Sequence, residues 1–187
     1  MTLAYVALGS NLENPIQQVQ RAMLSLDNIP NTQVLKTSSL YQTAPIGYAE
    51  DALALIPDFI NAVVALETAL EPAALLAALL AIEHTAGRQR PYQNAPRVLD
   101  CDLLIYGNIE LNSPQLTLPH PRMHERGFVL LPLFEIAPHL SLAKHGKIAL
   151  LMNDHLLTGV KKLNAWAFLK NFLILWLKAQ LAVGKPR

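Results

Sequence analysis

Two aspartates, Asp100 and Asp102, stand two residues apart in the run VLDCDLLIY at residues 98–106. The run is apolar and bounded by Gly107-Asn108, which makes it a strand. On a strand, residues i and i+2 share a face, so both carboxylates project side by side while Leu99, Cys101 and Leu103 turn the other way. Adjacent anions repel, and magnesium relieves the repulsion because it takes one or two carboxylates together with phosphate oxygens. An isolated pair of this kind is more often a solvated strand face than a metal site. Arginines change the balance here: Arg88, Arg90 and Arg97 precede the pair, and His120, Arg122, His124 and Arg126 follow it. Guanidinium forks match phosphate oxygens, so acids ringed by arginines have the charge pattern of a polyphosphate site, with Arg97 and Arg126 the first choices.

A second pairing lies in residues 59–68, FINAVVALET, where period-2 geometry sets Phe59, Asn61, Val63 and Ala65 on one face. A phenylalanine alone is most simply core. A buried amide, however, must find partners that an apolar strand does not offer, so Asn61 beside Phe59 points to a ring-and-edge binding pair. No G-x-x-x-x-G-K-[ST] occurs, and Gly9-Ser10-Asn11 does not begin a G-x-G-x-x-G fingerprint. A bound nucleotide must therefore be held by side chains and metal rather than by a glycine cradle.

The elements that must position these groups follow from pattern. Residues 3–8 form a strand ended by Gly9-Ser10-Asn11; Asn14 supplies an N-cap and Pro15 the first position of a helix running to Asp27. A strand is expected over residues 33–43, a long irregular loop over 44–58, and a strand over 59–68. Pro72 opens a helix whose stripe is Leu75, Leu79, Ile82 and Ala86, with Glu83 at its border and Gly87 as C-cap. Residues 88–97, RQRPYQNAPR, form a second loop, and a third apolar helix lies around residues 127–136. The order strand, helix, strand, strand, helix, strand predicts an α+β protein: a ferredoxin-like antiparallel sheet with helices packed on its faces.

A chain of 187 residues with 52% apolar content suits one domain with a sizeable core. The net charge of +1 provides no global attraction to nucleic acid or acidic lipid, and the clustered strand aromatics of an RNA-binding sheet are missing. Cys101 is the sole cysteine, which suits a reducing, cytoplasmic compartment, and residues 1–9 lack the pattern of a signal peptide. Residues 164–187 form an atypical apolar tail, read as helical, with Phe168, Phe172, Leu175, Trp176 and Ala179 on one face. Lys170, Asn171, Lys178 and Gln180 interrupt it, which disfavours a transmembrane span.

Taken in order, A-x-G-S-N-L at residues 7–12, F-I-N-A-V at 59–63, G-R-Q-R at 87–90, A-P-R-V-L-D-C-D-L-L-I-Y-G at 95–107 and L-P-H-P-R-M-H-E-R-G-F-V-L-L-P-L at 118–133 resemble the 6-hydroxymethyl-7,8-dihydropterin pyrophosphokinase family. The resemblance spans about residues 3–140 and implies a domain over 1–163 that moves pyrophosphate from ATP to the pterin hydroxymethyl group. It also implies that Asp100 and Asp102 hold two magnesium ions, that Arg88, Arg97, His120 and Arg126 face the phosphates, and that Glu83 lies near the nucleotide. Thr43, Ile46, Phe59, Asn61 and Phe128 are then the pterin pocket, and Arg88, Arg97, Asp100 and Asp102 the catalytic set. Because phosphoryl transfer rests on alignment and charge stabilisation, no dedicated general base is assigned, Asp102 being a candidate by proximity alone. The expected partners are ATP and the pterin, with no nucleic acid, and the chain is expected to be a monomer. The alternative is another magnesium-dependent phosphoryl or nucleotidyl transferase on the same fold.

Overall fold

The computed structural model describes residues 1–45, 55–87 and 97–163. Most of the two predicted loops, with Ile46, Arg88 and Arg90, and the tail 164–187 lie outside the described residues. The chain runs β1 (Thr2–Ser10), α1 (Pro15–Asp27), β2 (Thr32–Thr37), β3 (Tyr41–Thr43), β4 (Phe59–Thr68), α2 (Pro72–Thr85) and β5 (Asp100–Tyr106). Two short hairpins follow, β6 (Leu111–Asn112) with β7 (Thr117–Leu118) and β8 (Ser141–Leu142) with β9 (Gly146–Lys147). Between them lie a 3-10 turn (Met123–Glu125) and α3 (Gly127–Ile136). The short α4 (Ile148–Leu151), α5 (Asp154–Leu157) and β10 (Lys161–Lys162) close the described chain.

The main sheet has the order β10-β3-β4-β1-β5, with β2 continuing the line of β3 along β4. Every pairing is antiparallel. Because β4 separates β1 from β2, and β1 separates β4 from β5, each helix joins two parallel strands across an inserted neighbour. That is the ferredoxin-like split βαβ arrangement expected from the sequence.

Alternation along the strands sorts two cores, one per sheet face. Ile60, Ala62, Val64 and Leu66 join Val6, Leu8, Cys101 and Leu103 beneath α1 and α2, which contribute Val19, Leu26, Leu75 and Leu79. Val63 and Ala65 join Tyr5 and Leu104 beneath α3, which contributes Val129, Leu130 and Leu133. Each fully buried leucine contributes about 1.5–3 kcal/mol. A register shift between Tyr5 and Val6 gives β5 an extra residue, so that both Leu104 and Ile105 reach the α3 face. Asp100 and Asp102 precede this bulge and share the α3 face with Val63 and Asn61, because Asn61 and Asp100 both pair with Gly9, and Val63 and Asp102 both pair with Ala7.

Two local expectations are corrected. The strand expected over 33–43 is broken at Ser38–Leu40, where three residues oppose two of β4. The Ser38 hydroxyl accepts from the Val63 N–H (2.9 Å) while the Ser38 N–H donates to the Val63 carbonyl (2.9 Å), so a side chain replaces one ladder bond. Asn14 flanks α1 but its side chain does not cap it: its backbone is left-handed (φ 62°), and its carbonyl accepts from Gln17 and Gln18. One glycine is required by close approach. A Cβ on Gly127 would lie 1.8 Å from the Leu156 carbonyl oxygen, so only glycine lets α5 pack on the start of α3.

Candidate active site

The three central strands present one cross-strand row, Asn61 on β4, Gly9 on β1 and Asp100 on β5, directly opposite one another. With strands spaced about 4.8 Å apart, the amide-bearing and acid-bearing positions are separated by about 10 Å. Gly9 between them carries no side chain, and even a Cβ there would meet Asn61 Oδ1 at 3.4 Å. The row is therefore a slot with an amide at one side, a carboxylate at the other and bare backbone as its floor.

On the amide side, Asn61 is buried and donates through Nδ2 to Thr43 Oγ1 at 2.9 Å. Thr43 pairs with Phe59 and is buried as well, so the fold brings Thr43, Phe59 and Asn61 together. Tyr41, opposite Asn61, donates its hydroxyl to Glu135 at 2.8 Å. Burial, then its hydrogen bond to Glu135 and that carboxylate's charge, push the Tyr41 phenol up, so it stays a donor. Glu135 also accepts from the Ser39 N–H and hydroxyl and from Lys162 Nζ, and despite the opposing effect of burial these donors hold its carboxyl below the usual value.

On the acid side, among the described residues, Arg97 meets Asp100 and Arg126 meets Asp102, and each of these arginines also lies over a ring. Arg97 Nη1 is 3.0 Å from Asp100 Oδ2, with its guanidinium carbon 5.6 Å from the Phe59 centroid. Arg126 Nη1 is 3.8 Å from Asp102 Oδ2, with its guanidinium carbon 5.8 Å from the Phe128 centroid. Both are cation–π distances. Asp100 is buried and Asp102 is partly open to solvent. Arg97 Nε is buried without a hydrogen-bond partner among the described residues. Burial lowers the Arg126 pKa, an effect opposed by Asp102 and reinforced by Arg122 and Arg97.

His120 reaches the same cluster. Its backbone N–H donates to the Leu104 carbonyl (2.8 Å), and its ring Nδ1 accepts from the Arg122 backbone N–H (3.2 Å). Burial, then the charge of Arg126, lower its pKa to about 4 despite the attraction of Asp100. The ring is neutral at pH 7, and with Nδ1 accepting, Nε2 carries the proton as a donor. His124, one turn further on, stacks instead on His145 with centroids 3.7 Å apart. Glu83 is 2% exposed, and its Oε1 accepts from the Cys101 N–H at 2.7 Å. It thus grips the strand between the two acids from the opposite face. Asn11 was read from sequence only as a turn residue, yet it is buried and its side chain bonds backbone on both sides of the slot.

Among the described residues no group of three or more His, Cys, Asp or Glu could enclose a metal ion. Two carboxylates on one face suit a cation that completes its shell with phosphate oxygens and water. This donor set fits magnesium in that mode.

The model of the 7,8-dihydro-6-hydroxymethylpterin-pyrophosphokinase family matches residues 5–138. The chain belongs to this family. Among its relatives, the 2-amino-4-hydroxy-6-hydroxymethyldihydropteridine pyrophosphokinase of Haemophilus influenzae is 44% identical over 142 residues, 76% of this chain and 86% of the relative. The enzyme of the same name from Pseudomonas aeruginosa is 45% identical over 138 residues, 74% and 82% of the two chains. The fold is shared with Plasmodium falciparum HPPK-DHPS solved with SDX-DHP, at a TM-score of 0.64 and 16% identity. That likeness covers 87% of this pyrophosphokinase-family chain but 47% of the solved one, so the chain spans about half the length of that protein.

Proposed function

We infer that the chain transfers the pyrophosphoryl group of ATP to the hydroxymethyl oxygen of 6-hydroxymethyl-7,8-dihydropterin, releasing AMP and the pterin diphosphate for folate synthesis. The observation that carries the site assignment is the Asn61–Gly9–Asp100 row. It sets a reader of the pterin edge opposite a phosphate-side acid across a floor with no side chain. Phe59 and Phe128 supply apolar ring faces, and Asn61, oriented by Thr43, supplies edge hydrogen bonds. Arg97, Arg126 and the His120 Nε2–H supply donors to the phosphate oxygens. Arg88 and Ile46 belong to the same phosphate and pterin sets by family resemblance.

Asp100 and Asp102 would hold magnesium, two ions by the family pattern, which when bound neutralises charge on the phosphates and orients them. In the step itself the hydroxymethyl oxygen bonds to the β-phosphorus, and the bond from that phosphorus to the α,β-bridging oxygen breaks. AMP leaves with that bond's electron pair, and the hydroxyl proton passes to solvent. The residues contribute alignment and charge stabilisation rather than a dedicated base. The reading includes a cytoplasmic monomer whose working domain is residues 1–163. Leu163, which donates to the Leu40 carbonyl (2.9 Å) and packs on the core, is consistent with that boundary.

The test is product analysis with ATP, magnesium and the dihydropterin, against controls lacking pterin or metal. AMP formed only with all three supports the reading. ADP would instead mean single phosphoryl transfer, and pyrophosphate release would mean a nucleotidyl transferase.

A further inference from the structure

The sequence motif Gly9-Ser10-Asn11 ends β1, and the chemistry above uses only its glycine. Asn11 follows the last ladder pair of the central strand, where the chain entering β4 and the chain entering β5 arrive on either side. Its backbone N–H donates to the Arg97 carbonyl at 3.1 Å, and its Oδ1 accepts from the Arg97 N–H at 2.8 Å. Its Nδ2 donates to the Pro57 carbonyl at 3.2 Å. Only one amide orientation satisfies an N–H on one side and a carbonyl on the other, so the residue is matched to both neighbours. Asn11 is 2% exposed, which makes each of these bonds costly to lose.

Pro57 lies two residues before Phe59, and Arg97 lies three before Asp100. Arg97 itself spans the slot, its guanidinium on Asp100 and over Phe59. We propose that Asn11 is a positioning residue for pyrophosphoryl transfer. It extends the three-strand row beyond the ladder and fixes the distance between the pterin wall at Phe59 and the phosphate wall at Arg97 and Asp100. The assignment rests on the reading of those walls given above. Reaction between two bound substrates depends on that distance, since a misplacement of about 1 Å can cost roughly 100-fold in rate.

Three variants test it in the full chain. Asn11→Ala removes both side-chain bonds. Asn11→Asp keeps an acceptor for the Arg97 N–H but replaces the donor to Pro57 with an oxygen. Leu26→Ala, in the core on the opposite face, is the control for loss of stability alone. The readouts are melting temperature, kcat and KM for ATP and for the dihydropterin per folded enzyme, and hydrogen exchange of the Arg97 amide. Asn11→Ala is expected to lower kcat by roughly 10- to 100-fold and to expose the Arg97 amide. Asn11→Asp is expected to restore Arg97 protection while the pterin KM stays raised. Leu26→Ala is expected to lose melting temperature with kinetic constants within about twofold of the parent. Kinetic constants for both Asn11 variants within twofold of the parent, or a control that loses rate equally at matched stability, would overturn the proposal. A parent that makes no AMP sinks the pyrophosphokinase reading. The positioning role is then decided by exchange at Arg97 and by calorimetric pterin binding: unchanged protection and affinity in Asn11→Ala refute it.

Discussion

Acid should weaken this fold through His120 before most carboxylates titrate. The folded ring has its pKa lowered to about 4 from 6.5, chiefly by burial and then by Arg126. A depressed folded pKa means that the unfolded chain takes up the proton first. The contribution is therefore fully present above about pH 6.5, and it is lost as pH falls toward 4. Between pH 7 and pH 5 the unfolded-state protonation works out to about 1.8 kcal/mol at most. His120 keeps partial solvent access, so screening reduces this to about 1 kcal/mol. His120→Gln cannot titrate and serves as reference. Urea unfolding of both chains at half-unit steps from pH 7 to 5 should show the parent losing that much more stability than the variant. A difference between the two chains that stays constant across the window would refute the claim that the fold holds His120 neutral. The proposed role of Nε2–H as a phosphate donor requires the same neutral tautomer, so one measurement tests a premise of the proposed site as well.

Asp100→Ala and Asp102→Ala should each cut turnover by about 1,000-fold or more with the fold retained by circular dichroism, in line with several kcal/mol of lost charge stabilisation. Magnesium titration should show weakened activation; near-normal rates in either variant would remove the acid from the metal role. Asn61→Ala should raise the pterin KM roughly 10-fold while leaving that for ATP nearly unchanged, as expected for about 1.4 kcal/mol of edge recognition. Equal losses for both substrates would assign Asn61 to the fold instead. Glu135→Ala leaves Tyr41, Ser39 and Lys162 without their shared acceptor, and about 2–3 kcal/mol of stability should go with it in urea titration.

The legible parts of the site were those that a single strand encodes. Alternation in residues 59–68 and 98–106 predicted which of Asn61, Phe59, Asp100 and Asp102 share a face, because the period of a strand is local. What escaped depends on bonds across the sheet. Ser38 breaks the expected long strand because the Val63 N–H opposite donates to its hydroxyl, and nothing in residues 33–43 names that partner. Asn11 reads as a turn residue until Pro57 and Arg97 arrive beside it from 46 and 86 residues away. Glu83 did leave a signal. It stands at i+4 from Leu79 and i+8 from Leu75, so it belongs to the buried stripe rather than to its border, and a charge there requires a partner. One partner, the Cys101 amide, ties the helix to the residue lying between the two acids.

The paired construction of Arg97 and Arg126 shows how such a site can be stable before substrate arrives. Two carboxylates on adjacent positions of one face would repel, and among the described residues these two guanidinium groups are cations that answer them. The Arg126–Asp102 pair, partly open to solvent, contributes little by itself, so the aromatic contact beside it matters. The Phe59 and Phe128 rings lie under the two guanidinium carbons, at 5.6 and 5.8 Å, while an Nη1 of each fork faces its acid. A lysine could neutralise an acid but could not also lie flat on a ring and present parallel donors. The same two rings are the proposed walls of the pterin pocket. On that proposal, the rings beside the forks are the ones that would sandwich a flat heterocycle, and binding of the acceptor would be joined to placement of the phosphate donors through Phe59, Phe128, Arg97 and Arg126.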